Sequence, residues 1–248
     1  MAKRRPKSEL FEEAVEEVAR RYHIRGVRAG ISRLLARIAR RILRLEVSEV
    51  ASVVEGGGDG VGYAQEAARG RWSQRWRENL EPVLEEAVSA ASEPLMEALD
   101  EPFSLETPAM RALFESYVVR LSEQLPQTTT EDLTRVIREA RASGLSNPQT
   151  AARIREVMPD ITQRRADLIA RDQNHKVNIL AQEWQMQASG VEIAGREWLS
   201  AEDERVRPLH RELNGEVRAF GEEFAPGVFS PADEVACRCT LLYRLTGD

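Results

Sequence analysis

From Leu10 to about Ser189 the apolar residues of this 248-residue chain recur every three or four positions, and from Glu192 that period gives way to the looser alternation of a strand. A chain with this change of period folds as mainly α with a small α+β C-terminal domain, preceded by an N-terminal amphipathic helical arm and a helical middle region. Composition agrees. With 31% charged and 6% aromatic residues the chain favours long solvent-faced helices over a broad sheet, and 42% hydrophobic residues suffice for a packed core.

The first 44 residues hold thirteen Lys and Arg against five Glu, a net of +8 that leaves −14 on the other 204. Leu10, Phe11, Ala14, Val15, Val18 and Tyr22 mark one amphipathic helix. Ile31, Leu34, Leu35, Ile38, Ile42 and Leu45 mark a second after the interruption at Gly26–Gly30. Arg33, Arg37, Arg40, Arg41 and Arg44 crowd the polar side of the second helix. Such a ridge neutralises phosphates, docks on an acidic protein ring, lies on a membrane surface, or is a solvated face. No aromatic residue interleaves the arginines, so DNA would be met through its backbone and not by base stacking. Lys3-Arg4-Arg5 is followed by Glu12, Glu13, Glu16 and Glu17 instead of an apolar signal core, and no apolar run is long enough to cross a bilayer. The expectation is a soluble chain with no membrane partner.

Gly56-Gly57-Gly58-Asp59-Gly60 is the clearest break. No Lys-Ser or Lys-Thr follows, which excludes a phosphate-cradling loop. The segments expected from these signals are a basic helical arm over 1–55, a Gly-rich linker over 56–62 open to proteases, a helical domain over 63–189 and an α+β domain over 190–248. Trp72 and Trp76, one turn apart, read as core. Pro82 reads as opening a helix after Asn79, and Pro102 and Pro108 as punctuating a connection. Thr128-Thr129-Thr130-Glu131 reads as a helix start and Gly144 as its end. Ser146-x-x-Gln149 reads as a capping box for a helix stopping at Pro159, with another from Thr162 to about Ser189. This rhythm is not read as a DNA-binding helix-turn-helix, because its connections are not the usual short ones and residues 101–160 are not basic. His175 has no second ligand type four residues away and reads as a packing or surface residue.

In the last segment Glu192 to Leu199, Val217 to Phe220 and Thr240 to Tyr243 read as strands, Ser200 to Leu213 as helical with a break at Pro208, and Asn214-Gly215 as a turn. Both cysteines of the chain, Cys237 and Cys239, lie here two residues apart. On a strand both thiols share a face, and a bond between them would be strained. His210 is the other soft ligand of the segment, and the three residues are expected to converge. Two readings follow. In one, His210, Cys237 and Cys239 hold a structural zinc, with water, Asp203 or Asp233 as a fourth ligand, although Asp203 and His210 are about 10 Å apart along any continuous helix. In the other, the thiols pack as small apolar groups beside a polar cluster of His210, Asp203 and Arg207. A helical His-Glu-x-x-His arrangement and any substrate-binding motif are missing from the sequence, so no catalytic residues are assigned.

Glu197-Trp198, Asp203-Glu204-Arg205-Val206-Arg207, His210, Asn214-Gly215, Phe220 and Cys237-Arg238-Cys239 stand in one order. That order resembles the C-terminal signature of the phage head morphogenesis family whose namesake is phage Mu protein F. The resemblance extends upstream through Gly144-Leu145-Ser146, Ile154, Arg165-Ala166, Ile169-Ala170-Arg171-Asp172 and Asn178. It implies that Arg171, Asp172 and Asn178 are buried polar contacts joining a helix to the C-terminal domain. Some family members carry Cys-Pro-x-Cys where this chain has Arg207-Pro208-Leu209-His210, and a His before Cys-Arg-Cys where this chain has Ala232-Asp233-Glu234, so the family's zinc-type set is incomplete here. The resemblance further implies a structural minor head protein of the virion. Its expected place is the portal vertex or capsid interior, with portal protein, major capsid protein and packaged double-stranded DNA as partners. Its expected task is to assist head assembly, DNA packaging or genome delivery, without enzymatic turnover. The alternative is a nucleic-acid-binding protein outside the virion, with a basic helical arm and a small zinc-stabilised domain.

Overall fold

The computed structural model describes residues 29–99 and 104–246. The expected helix over Leu10–Tyr22, the Lys3-Arg4-Arg5 cluster and Pro102 lie outside the described residues. Among these, the order is α1 (Ala29–Glu55), α2 (Gly60–Arg69), α3 (Arg71–Leu99), α4 (Pro108–Ala142), α5 (Asn147–Ala188), β1 (Ile193–Leu199), α6 (Pro208–Glu212), β2 (Val217–Arg218) and β3 (Thr240–Leu245). The fold is mainly α with a small C-terminal α+β region, and no described helix is long and apolar enough to cross a membrane.

Residues 32–85 and 111–170 form one compact unit, and the described residues among 29–31, 86–110 and 171–246 belong to a second. These units cut the chain otherwise than the segments drawn from sequence, since α3 and α5 each contribute residues to both. In the helical unit, Leu35, Ala39, Ile42, Leu43, Val47, Val50, Ala51 and Val54 make the buried stripe of α1, at the three- and four-residue spacing of one helical face. Part of this stripe joins Ala64, Ala67, Trp72, Leu133, Val136, Ile137, Ala151 and Ile154 in a single core. Trp72 and Trp76 are fully buried.

The glycine run is a tight turn and not an open linker. The amides of Gly56, Gly57 and Gly58 bond back to the carbonyls of Ser52, Val54 and Val53, and Asp59 caps α2 through the Val61 amide. Gly60 is buried, and a Cβ there would stand 2.3 Å from the Val54 side chain. The glycines are therefore needed for close approach of α2 to α1.

Three signals read as helix boundaries fall inside helices: α3 runs through Pro82, α4 through Thr128–Thr130, and α5 through Pro159. α4 also contains Pro126. Each proline removes one backbone donor, a loss that buried residues on either side outweigh. The threonines do not cap. Their hydroxyls donate to the carbonyls four residues earlier, Thr128 to Gln124, Thr129 to Leu125 and Thr130 to Pro126. Thr162, expected to start a helix, donates to the Pro159 carbonyl. At the α4–α5 junction, Gly144 returns its amide to the Arg141 carbonyl and Gln149 accepts from the Ser146 amide at 2.9 Å.

In the second unit the sheet order is β2-β1-β3, antiparallel throughout, with Arg196 opposite Arg218 and Tyr243, and Trp198 opposite Leu241. Ile179 and Met186 of α5 pack on Trp198, Leu241 and Tyr243 of the sheet and on Val206, Leu213, Phe224 and Val228 of the loops. Of the expected helix over 200–213 only Pro208–Glu212 forms, because Ser200 and Asp203 accept from the Glu202 and Arg205 amides in turns, with Glu202 at φ +51°.

Candidate functional site

Part of the C-terminal signature lies inside the second unit. Trp198 is fully buried on β1, edge-on to the His210 ring at 5.1 Å and to Phe224 at 5.2 Å. Gly215, at φ +83°, returns its amide to the Trp198 carbonyl at 2.8 Å, which a residue with a Cβ would do under strain. Asn214 accepts from the Ser200 amide, and Phe220 stacks on Tyr243 with 6.0 Å between centroids. Of the ordered set, Trp198, Val206, His210, Cys237 and Cys239 are buried together.

α6 begins at Pro208, whose missing donor suits a first helical turn, and it presents His210 inward, 3% exposed. Cys237 and Cys239 lie ahead of β3 and not on it, and both are buried. His210 Nδ1 stands 3.4 Å from the Cys237 sulfur and 3.7 Å from the Cys239 sulfur. The Cys239 amide donates to the Cys237 sulfur at 3.4 Å. A hydrogen bond from Cys237 pushes the Cys239 thiol down to about 6 against the opposing effect of burial, with further help from His210 and the Trp198 indole. The same bond holds Cys237 protonated, its pKa raised.

The carboxylates considered as fourth ligands are engaged elsewhere. Asp203 pairs with Arg238 at 2.5 Å, and hydrogen bonds from the Arg205 amide and Arg238 outweigh the opposing desolvation to keep its pKa below the usual range. Asp233 accepts the Phe229 and Ser230 amides at 2.9 and 2.8 Å, in a capping box on a short 3-10 turn. Arg207 reaches Glu234 at 3.0 Å and the Val235 carbonyl at 2.6 Å. Of the expected cluster of His210, Asp203 and Arg207, Asp203 pairs with Arg238 and Arg207 with Glu234. Arg171 is exposed on α5, and the buried Asn178 donates to the Asn174 carbonyl one turn back.

Asp172 makes the contact between α5 and the cysteine loop. Its Oδ1 accepts from the Ala236 amide at 2.8 Å, and its Oδ2 faces Lys176 at 3.2 Å and Gln173 at 2.9 Å. Ala236 has φ +55°, in the left-handed region, immediately before Cys237.

Arg196 has no role in the sequence reading and is the polar centre of this unit. It is 2% exposed, and donates to Glu183 at 2.6 Å and to the carbonyls of Phe229, Ala219 and Glu222 at 3.1, 3.2 and 2.9 Å. Its guanidinium also lies over the rings of Phe220 and Phe224. Burial holds the Glu183 carboxyl above its usual range, and Arg196 only partly offsets it. The signal was present in the alternation: Arg196 shares parity with Trp198, hence a face of β1.

On α1, Arg33, Arg37, Arg41 and Arg44 are exposed at helical spacing, while Arg40 turns to Asp167 at 3.4 Å.

Residues 131–242 match the model of the family described as Phage Mu protein F like protein. An uncharacterized protein of Haemophilus influenzae (strain Rd) is 29% identical over 121 residues, covering 49% of this chain and 26% of that protein. The minor head protein GP7 of Bacillus phage SPP1 is 28% identical over 123 residues, covering 45% of this chain and 40% of that protein. The chain thus spans less than half the length of these curated relatives. No solved structure matches. Residues 131–242, which carry most of the ordered signature, are thus similar to the family described as Phage Mu protein F like protein.

Proposed function

We propose that this chain is a structural minor head protein of a tailed phage, acting at the portal vertex or the capsid interior in head assembly, DNA packaging or genome delivery. The observation that carries the reading is the family match over 131–242, several of whose signature residues, Trp198, Val206, Cys237 and Cys239, lie in the core of one unit. The similarity to a phage minor head protein supports it further. The chemistry of the site favours a structural task. The buried thiols and imidazole are lined by Arg205, Arg207 and Arg238, and Asp203, Glu234 and Asp233 are held in ion pairs or a cap.

The partners that fit this reading are portal protein, major capsid protein and packaged double-stranded DNA. The exposed arginines of α1 are the contact, to DNA phosphates or to an acidic face of the portal. Purified particles, digested and analysed by mass spectrometry, are expected to contain this chain as a minor component. Its absence from intact particles, with presence in infected-cell lysate, would refute the assignment.

A further inference from the structure

We propose that His210, Cys237 and Cys239 bind a zinc-type divalent ion, with water as the fourth ligand, and that Asp172 is the positioning residue that shapes the cysteine loop for it. The three ligand atoms lie within 4.8 Å of one another, and all three residues are buried. A tetrahedral ion with metal–sulfur bonds of about 2.3 Å and a metal–nitrogen bond of about 2.0–2.1 Å places its ligand atoms about 3.5–3.8 Å apart. The separations of 3.4 and 3.7 Å between His210 Nδ1 and the two sulfurs match those edges. The match comes from independent parts of the chain, since His210 stands on α6 and the cysteines 27 and 29 residues later.

The fourth position follows from what surrounds the three. The adjoining cavity, about 80 Å³, is lined by Arg205, Arg207, Arg238, Val206 and Ala236 besides the ligands. That is ample for a water molecule, whose share of liquid volume is about 30 Å³. None of the lining side chains offers a carboxylate, and Asp203 and Asp233 are bound elsewhere. A donor set of two thiolates and one imidazole selects zinc over magnesium or calcium, which require oxygen. Binding releases the thiol protons.

Asp172 fixes the approach of Cys237. A non-glycine residue at φ +55° is strained, and the Asp172 bond to the Ala236 amide holds the chain in that turn. The residue is 6% exposed and touches none of the three ligands through a hydrogen bond, so it acts through the backbone.

The test titrates the purified full-length chain with Co²⁺ and Zn²⁺ under reducing conditions. The expected result is a single equivalent bound, with the visible bands of tetrahedral cobalt and a thiolate-to-cobalt charge-transfer band. Zinc should displace the cobalt. Cys237→Ser, Cys239→Ser and His210→Ala should each abolish these bands, with far-UV circular dichroism reporting whether the variant folds. Asp172→Asn should keep the tetrahedral spectrum and lower zinc affinity about tenfold. Should a ligand variant fail to fold, alkylation of the wild-type thiols is the second measurement, and zinc should slow it at both cysteines. Sub-stoichiometric uptake, an octahedral cobalt spectrum, uptake unchanged in folded thiol variants, or alkylation indifferent to zinc would each overturn the site. Unchanged affinity in Asp172→Asn would overturn the positioning role.

Discussion

Arg196 shows how far one buried side chain can organise a small domain. Its two terminal nitrogens meet a carboxylate and three carbonyls while two aromatic rings cover the guanidinium faces. Replacing it strands Glu183 as an uncompensated buried acid and leaves three carbonyls without this donor. Arg196→Ala is therefore expected to cost about 3–5 kcal/mol in the second unit, read from urea or thermal unfolding. Arg196→Lys should recover only part of the loss, because a single ammonium cannot span acceptors on α5 and on the 219–229 loop. As a comparison, Arg244→Ala should cost little, since the Arg244–Glu197 pair is exposed on its arginine side. An Arg196→Ala variant as stable as wild type would show that the network contributes nothing net.

Between elements, the register of α1 on α3 is set by two acids and two indoles. Trp72 donates to Glu49 and Trp76 to Glu46, each at 2.7 Å, so partners one turn apart on α3 meet partners three residues apart on α1. Glu49 also takes Arg71 and Arg75, at 2.9 and 2.8 Å. Glu46 is fully buried, and desolvation pushes its carboxyl up to about 7 despite the bond from Trp76 and the charges of Arg165 and Arg75. The folded value lies above the ordinary 4.5, so below about 4.5 both folded and unfolded chains hold the proton. Between about 4.5 and 7 only the folded chain does, and this contribution to stability is lost as pH rises through that window. The loss amounts to about 3 kcal/mol at 1.4 kcal/mol per pH unit. Glu46→Gln should remove this slope, so the stability difference between variant and wild type should drift in the variant's favour from pH 4.5 to 7. Parallel stability–pH curves would mean that Glu46 is ionised in the folded protein. Arg165, whose own pKa burial lowers, donates to Thr129 and to the Leu125 carbonyl, so α1, α3, α4 and α5 all meet at this buried acid.

Over the whole molecule, a basic N-terminal stretch precedes an acidic remainder, and α1 carries four exposed arginines along one side of an otherwise packed helix. If these meet DNA, binding is indifferent to sequence and falls steeply with salt, the log–log slope being about −0.9 per phosphate neutralised. Changing Arg33, Arg37 and Arg41 to Gln should then flatten the slope by about 2.7, measured by fluorescence anisotropy on duplexes of unrelated sequence. The exposure of these side chains means that their loss should leave thermal stability nearly unchanged, which separates a binding effect from unfolding. Unaltered salt dependence would refer the stripe to a protein partner or to solvent.

Local chemistry alone fixed the switch of period near residue 190, the three strands, the burial of Trp72 and Trp76, and the ordered signature that led to the family. These depend on side-chain periodicity and on residue types that suit one place in a chain, such as Gly215 at its turn. Helix ends were less legible. Pro82, Pro126, Pro159 and Thr128–Thr130 carry boundary chemistry, yet continuous helices absorb them because buried neighbours supply more than one lost hydrogen bond takes away. The glycine run showed a break but not its tightness, because the need for glycine at 60 comes from Val54 of a different helix. The convergence of His210, Cys237 and Cys239 was legible, but the pairing of charges was not. That Asp203 chooses Arg238, that Asp233 turns to its own loop, and that Glu46 and Arg196 are buried are settled by which surfaces pack over them, since a charge enters the interior only where tertiary partners stand ready to receive it.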